Sequence, residues 1–113
     1  MIQQLFKEGK SFSVFPFRII YLETEDAGSN LLAAFSVSTR NFKRAIDRNR
    51  IKRLMRESYR LQKTTLQLEV EENHKNIALF FIFTGKELPD YSLVFEKIGK
   101  ALLQLQKIIQ QEL

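Results

Sequence analysis

The segment from Arg40 to Lys63 combines a strong positive charge with helical spacing. It holds ten Lys and Arg residues against two acids, a net charge of +8 in a chain whose total is +5. The remaining residues therefore sum to −3, so the positive charge forms one patch and is not spread over the surface. The stretch from Asp47 to Arg60 contains no Gly or Pro. An unbroken helix with a strongly basic surface is the feature that any fold of this chain must accommodate.

A helical projection of this stretch separates an apolar arc from the basic side chains. At roughly 100° per residue, an arc of about 120° holds Ile51, Leu54, Met55, Ser58 and Leu61. Arg48, Lys52 and Arg56 lie outside the arc and follow one another at intervals of four residues. Like charges at this spacing repel mildly unless an anion lies across them. The pattern predicts a core-facing apolar surface and a polyanion as the partner of the other surface.

A solvated helix face is the main alternative, because most charged runs are of that kind. Such a face usually interleaves both signs, whereas Glu57 is the only acid in the body of this helix. The excess of Arg over Lys favours bidentate phosphate contacts, so nucleic acid is the preferred ligand. A basic amphipathic helix for a membrane surface or a calmodulin-like partner is the lesser alternative.

Length and composition predict a single domain over residues 1–113. The chain has 44% hydrophobic residues and ten Phe, enough for a modest core. It has no Cys, which excludes disulfides, thiolate zinc sites and cysteine nucleophiles. The N-terminus lacks the pattern of a secretory signal, and the longest apolar run, Ile77–Phe83, is too short to span a membrane. We therefore expect a cytoplasmic protein.

Three runs have the composition of β-strands. Residues 15–23 are rich in aromatic and β-branched side chains, and residues 31–38 form a second such run. The turn composition of residues 24–30 predicts that these two strands form a hairpin. Residues 77–84 are continuously apolar, which indicates a central strand buried on both faces.

The remaining elements are predicted to be helical. Residues 2–9 have the pattern of a short helix ended by Gly9. A connector over residues 39–46 leads into the basic helix, which should end near Lys63 or continue to about Val70. An amphipathic helix that covers the sheet is expected from Leu93 to the C-terminus.

The sequence contains no recognisable catalytic or metal-binding constellation. His74 is the only histidine and lies in a polar segment, which predicts an exposed turn residue. Glu69, Glu71 and Glu72 are more typical of a solvated patch than of a cation site. The four Gly are isolated, so no phosphate-binding loop is present. We expect no catalytic residue, no protein-held metal and no small-molecule substrate.

The run from Arg40 to Arg60, RNFKRAIDRNRIKRLMRESYR, closely resembles the RNR signature of the bacterial ribonuclease P protein component. Three further segments resemble that family. Residues 6–9 are similar to the end of its first helix, Phe35–Ser38 to its strand before the signature, and Ile77–Phe83 to its apolar last strand. The resemblance covers most of the chain.

The resemblance implies an α/β (α+β) two-layer sandwich. In this fold the RNR helix and a C-terminal helix pack on a mixed, mainly antiparallel sheet, and a βαβ crossover is left-handed against the general rule. Proteins of the family bind the catalytic RNA of ribonuclease P and precursor tRNA, and the holoenzyme removes the 5′ leader with Mg²⁺ held mainly by the RNA. The chain would then be an accessory subunit that is inactive alone.

The same resemblance assigns roles to individual residues. It implies that the catalytic RNA is bound by Arg40, Lys43, Arg44, Arg48, Asn49, Arg50, Arg53 and Arg60. It implies that a cleft for the single-stranded leader is lined by Phe6, Ile20, Ser36, Lys52 and Arg56. Such contacts should read phosphates and shape, because leader sequences differ between precursors.

Two other functions use the same basic helix. A structural RNA-binding protein of ribosomal or RNA-chaperone type would bind RNA without preference for a 5′ leader. A DNA-binding protein would place the helix in a major groove, but no helix-turn-helix partner or dimer zipper is evident upstream.

Overall fold

The computed structural model describes residues 9–24 and 30–112, which form one sheet and three helices. The strands are β1 (Lys10–Val14), β2 (Phe17–Glu23), β3 (Leu31–Val37) and β4 (Ile77–Phe83), and the helices are α1 (Ala45–Gln62), α2 (Thr64–Glu72) and α3 (Tyr91–Glu112). The short helix predicted over residues 2–9 falls almost entirely outside the described residues.

The sheet has the strand order β1-β2-β4-β3. Strand β2 pairs antiparallel with β1 and β4, whereas β3 runs parallel to β4. The mixed, mainly antiparallel sheet implied by the resemblance is therefore confirmed. The chain passes from β3 to β4 through α1 and α2, and the left hand of this crossover stays a prediction.

The predicted hairpin between residues 15–23 and 31–38 is wrong. Both segments contain strands, but β4 lies between them and pairs with each. The reason is that β4 is buried along almost its whole length, so both of its edges need a partner strand. The true hairpin partner of β2 is β1, whose sequence KSFSV alternates small polar and apolar residues too briefly to be predicted.

Helices α1 and α3 cover one face of the sheet, which we call the inner face. Tyr59 on α1 contacts Phe35 and Phe81, with ring centroids 5.6 and 5.7 Å away, and these two Phe rings stack at 5.5 Å. Ile51 and Met55 are fully buried in the same core. Burial raises the pKa of Tyr59, so its hydroxyl stays neutral. This contact fixes which side of α1 faces the protein.

The apolar arc of the basic helix is displaced from its predicted position. Tyr59 belongs to the buried side, whereas Leu61, which the helical projection places in the arc, is 50% exposed. The displacement follows from two partners, since α1 packs on the sheet through Tyr59 and on α3 through Gln62. The helical projection contains neither partner.

Small and polar residues allow α1 and α3 to approach closely. The Gln62 amide donates to the backbone carbonyls of Ser58 and Phe95, at 3.1 and 2.9 Å. A Cβ at Gly99 would lie 2.5 Å from the Gln62 side-chain oxygen, so this helical glycine leaves room for the bridge. Ser58 is fully buried between its neighbours.

The outer face of the sheet carries a second, smaller apolar cluster. Ile20, Ala78 and Phe80 form its buried part. Burial of β4 on both faces, predicted from its continuous apolar sequence, is therefore confirmed.

The helix ends were predicted with mixed success. The chain remains helical beyond Lys63, but as a separate helix, α2, whose Leu66 and Val70 are buried. The C-terminal helix is confirmed and begins at Tyr91, where the Asp90 carboxylate accepts a 2.8 Å hydrogen bond from the Leu93 amide. This is the usual way to cap the first turn of a helix.

His74 ends α2 in a left-handed backbone conformation. Its φ is +55°, its amide donates to the Glu71 carbonyl at 3.1 Å, and the next amide, of Lys75, donates to Val70 at 3.0 Å. This hydrogen-bond pattern usually has Gly at the left-handed position. The side chain is exposed, as predicted for a turn residue.

We expect His74→Gly to stabilise the protein by about 0.5–1 kcal/mol, because it removes the Cβ strain of the left-handed conformation. Chemical denaturation should show a higher midpoint at an unchanged slope. Asn73→Gly, one residue earlier at φ −89°, is the comparison and should be destabilising, because it relieves no strain and removes the 2.7 Å bond from the Asn73 side-chain amide to the Glu69 carbonyl. A lower midpoint for His74→Gly would contradict the argument.

Candidate nucleic-acid interface

Most of the predicted RNA-binding residues lie on the side of α1 that faces away from the core or on the loop that precedes the helix, whereas Arg48 is half-buried on the flank of the helix. We call this surface the basic face: Arg40, Lys43, Arg44, Arg48, Asn49, Arg50, Arg53 and Arg60. Most of these side chains are exposed, and Arg48 is hydrogen-bonded to the preceding loop. The structure therefore brings the predicted residues together on one surface.

The start of α1 forms an open hollow of about 610 Å³ on the basic face. It is lined by Arg44, Ile46, Asp47, Asn49, Arg50 and Arg53. No side chain from residues 9–24 or 30–112 caps the N-terminus of the helix, so none of these side chains competes with a ligand for the amides of its first turn. Helix N-termini attract anions through these amides and through the helix dipole. Arginines and amides can therefore bind the same phosphate group here.

Arg48 has a structural role that its charge did not reveal. Its guanidinium donates to the backbone carbonyls of Phe42 and Lys43, both at 2.8 Å. These bonds tie the loop before α1 to the helix. In the predicted line of Arg48, Lys52 and Arg56, Arg48 therefore already has two carbonyl partners. Its remaining N–H groups are still able to donate to a ligand.

Two further residues hold this loop in place. The Asn41 side chain donates to the carbonyls of Thr84 and Gly85, at 3.3 and 3.2 Å. The Phe42 ring is buried and packs on Phe83, with centroids 6.0 Å apart. The loop that carries Arg40 and Lys43 is thus anchored to the end of β4 as well as to α1.

Arg60 is the one member of the basic face with an ion-pair partner among the described residues. Its guanidinium donates to both Glu57 oxygens, at 2.5 and 3.2 Å. This contact lowers the pKa of Glu57 and raises that of Arg60. Both side chains are well exposed, so the pair adds little stability and RNA phosphate can compete with the carboxylate.

The predicted leader cleft is only partly assembled by the described residues. Phe6 lies outside them. Ile20 and Ser36 both lie on the outer face of the sheet, but on strands separated by β4. Lys52 is partly buried and Arg56 exposed on α1, a helix that covers the inner face and borders the edge strand β3. That these residues line one groove stays a prediction.

Two basic residues close to predicted site residues were not predicted from the sequence. Arg18 is exposed and shares a row of the outer face with Ser36, because both pair with Ile82. Lys86 lines an open hollow of about 550 Å³ together with Arg40 and Asn41. Both are distant in sequence from the RNR run. The strand order places Arg18 in the row of Ser36, and the end of β4 places Lys86 beside Arg40.

Other features of the described residues bear on the alternatives. No group of three His, Cys, Asp or Glu side chains within residues 9–24 and 30–112 could hold a metal ion. None of the described helices is long and apolar enough to cross a membrane. The basic face has the charge to bind a large anionic ligand.

Comparisons with known proteins identify the class more closely. The family model described as Ribonuclease P matches residues 1–106. A ribonuclease P protein component from Porphyromonas gingivalis is 37% identical over 105 residues, which cover 92% of this chain and 77% of the relative.

Two solved structures have the same fold. The RNase P protein of Staphylococcus aureus superposes with a TM-score of 0.73 at 18% identity, covering 96% of this chain and 90% of that one. The RNase P protein of Thermotoga maritima also gives 0.73, at 24% identity, covering 91% and 89%.

The fold is an α+β sandwich that carries a basic helical face. The chain belongs to the ribonuclease P protein family. The family membership predicted from the resemblance of the RNR run is therefore confirmed.

We expect Arg48→Ala and Arg53→Ala to affect the protein differently. Arg48→Ala should lower the free energy of unfolding by about 1–2 kcal/mol, because it removes two charge-assisted bonds to the loop. Arg53→Ala should change it by less than about 0.5 kcal/mol, because its side chain is exposed and has no partner among the described residues. Both should weaken RNA binding.

Urea denaturation and RNA titration on the same variants test this difference. Equal stability of the two variants would show that the Arg48 bonds contribute nothing in solution. Lys107→Ala, an exposed cation on α3, should change neither quantity.

Proposed function

We propose that this chain is the protein subunit of a ribonuclease P holoenzyme, in which it binds the catalytic RNA and the 5′ leader of precursor tRNA. It assists Mg²⁺-dependent endonucleolytic removal of the leader, a step of tRNA 5′ maturation. The chemistry belongs to the RNA, and the isolated chain is inactive. Together with membership of the family, the basic face of α1 is the observation that supports this proposal.

The basic face is suited to folded RNA because most of its cations have no acidic partner in the part of the chain that the structure describes. Among the described residues of this face only Arg60 has an acidic partner. Each phosphate that replaces a condensed counterion contributes to affinity through counterion release. Arginine adds bidentate geometry to this attraction. The result is strong binding that depends on RNA shape and backbone more than on base sequence.

The leader is proposed to lie on the outer face of the sheet beside the edge strand β3. Ser36 and Arg18 share one row of that face, and Ile20 lies in the next row. Lys52 and Arg56 would reach the leader from α1, and Phe6 would complete the groove. Charge and apolar contact both tolerate variation in sequence, which suits a ligand that differs from one precursor to another.

Magnesium is proposed to be held mainly by the RNA. The described residues include no group of three His, Cys, Asp or Glu side chains that could hold a metal ion. The protein's own contribution is positive charge near the phosphates, which lowers the electrostatic repulsion between the two RNAs. We also place the protein in the cytoplasm, where tRNA precursors are processed.

Reconstituted cleavage of precursor tRNA tests the proposal directly. We expect the purified chain alone to cleave nothing, and the partner RNA to cleave at lower Mg²⁺ concentration when the chain is added. Precursor affinity should also rise. If the chain changed neither the magnesium requirement nor the precursor affinity, the proposal would fail and a structural RNA-binding role would be favoured.

The proposed leader contacts predict that substitutions affect the affinity for precursor tRNA more than the affinity for mature tRNA. Lys52→Ala and Arg56→Ala should each weaken precursor binding by the holoenzyme more than binding of mature tRNA, because only the precursor carries a leader. The slope of precursor affinity against salt concentration should fall by about one unit for each phosphate that the variant no longer binds.

Lys107→Ala is the matched control for these two variants, because it removes one exposed cation from a different helix. It should leave both affinities unchanged. Equal decreases in affinity for precursor and mature tRNA in Lys52→Ala and Arg56→Ala would place these residues on the catalytic RNA.

A further inference from the structure

Phe15 is the most exposed large apolar residue among those described, at 77%. It sits in the turn between β1 and β2, and its neighbours Pro16 and Phe17 are both buried. A single exposed aromatic ring is common on protein surfaces and does not by itself indicate a ligand. The meaning of Phe15 therefore depends on the groove and the charges beside it.

The turn that presents Phe15 is held rigidly. The backbone amide and the hydroxyl of Thr84 both donate to the Pro16 carbonyl, at 2.8 and 3.0 Å. Phe17 packs edge-on against Phe83, with centroids 5.4 Å apart. The backbone on either side of Phe15 is thus held by the end of β4, and a ligand need not order the turn on binding.

An open groove of about 400 Å³ lies beside the Phe15 ring. Its wall and floor include Pro16, Gly85, Leu88 and Pro89. A Cβ at Gly85 would lie 2.6 Å from the Phe83 ring and 3.2 Å from Pro16, so the glycine is required for this close approach of the two loops. The groove offers a flat aromatic ring at its edge and apolar atoms behind it.

Cationic side chains border this groove on the side of the basic face. Lys86 lines both this groove and the adjoining hollow that contains Arg40. Neither cation takes part in an ion pair with another described residue, and the acid at the groove is Glu87, which is exposed. Thr84 lines both hollows, so the groove is continuous with the anchored loop of the basic face.

We propose that Phe15 is a stacking site for an unpaired base of the ribonuclease P RNA, with Lys86 and Arg40 on the phosphates beside that base. The proposal rests on the proposed function and adds a contact to it. Sites that bind unpaired nucleotides usually combine an aromatic ring with basic side chains. The ring stacks on the π-face of the base, and the cations contact the charged phosphate linkage.

The catalytic RNA is the occupant because the groove adjoins the loop of Arg40 and Lys43. The predicted leader residues Ile20 and Ser36 lie elsewhere, within the strands of the outer face. A folded RNA that covers the basic face therefore passes the Phe15 turn. A base that is already unpaired needs no unstacking when it meets the ring.

The first experiment measures the affinity of the full chain for ribonuclease P RNA with four substitutions at this position. We expect Phe15→Ala to weaken binding roughly five- to a hundredfold, the range for loss of one base–aromatic stack. Phe15→Tyr and Phe15→Trp should bind as the wild type does. Phe15→Leu, which keeps apolar area without a π-face, should resemble Phe15→Ala.

Salt dependence separates stacking from charge. The salt slope should be unchanged in Phe15→Ala, whereas Lys86→Ala should lower it by about one unit. Thermal unfolding should be nearly unaffected in each variant, because both side chains are exposed. Lys107→Ala is the control for the loss of one remote cation.

Photocrosslinking gives a second readout that does not depend on an affinity change. With p-benzoylphenylalanine in place of Phe15, irradiation of the holoenzyme bound to precursor tRNA should label an unpaired nucleotide of ribonuclease P RNA. Labelling of precursor tRNA instead would overturn the assignment, as would Phe15→Ala or Phe15→Leu with wild-type affinity. If the wild-type chain bound no ribonuclease P RNA, the proposed function itself would fail, which is a different result.

Discussion

The contact of Tyr59 with Phe35 and Phe81 determines how the rest of the surface is presented. These three rings join α1, the edge strand β3 and the central strand β4. Because a helix is rigid about its own axis, fixing one side chain in the core fixes the direction of all the others. The exposed arginines of α1, from Arg50 to Arg60, face solvent as a consequence of where Tyr59 is buried.

The positively charged side chains of this surface have different partners and therefore different roles. Arg48 ties a loop to a helix through carbonyl oxygens, Arg60 shares its charge with Glu57, and Arg53 has no partner among the described residues. A count of charges would treat these three residues alike. Their differing partners mean that a substitution can act through folding, through competition with an acid, or through removal of a phosphate ligand.

The sequence was sufficient for features that depend on local spacing. The basic helix, the buried central strand and the C-terminal helix were predicted because their periodicity and composition are visible within one segment. The partners of the strands were not predicted correctly, and the expected hairpin was wrong. Strand pairing depends on which edges remain free in the whole sheet, and one segment does not show this. Leu61 and Arg48 show the same limit within one helix, since their surroundings come from β-strands and loops that a projection does not contain.

The strand order also constrains how the chain can assemble during synthesis. Strands β2 and β3 do not touch each other, and both depend on β4, which follows them by more than fifty and about forty residues respectively. Until Phe83 has left the ribosome, only the β1–β2 ribbon can form, and α1 has no completed layer against which to bury Tyr59. A nascent chain stalled before that point would display arginines and uncovered aromatic rings together, so premature contact with RNA and aggregation are both hazards of its biogenesis.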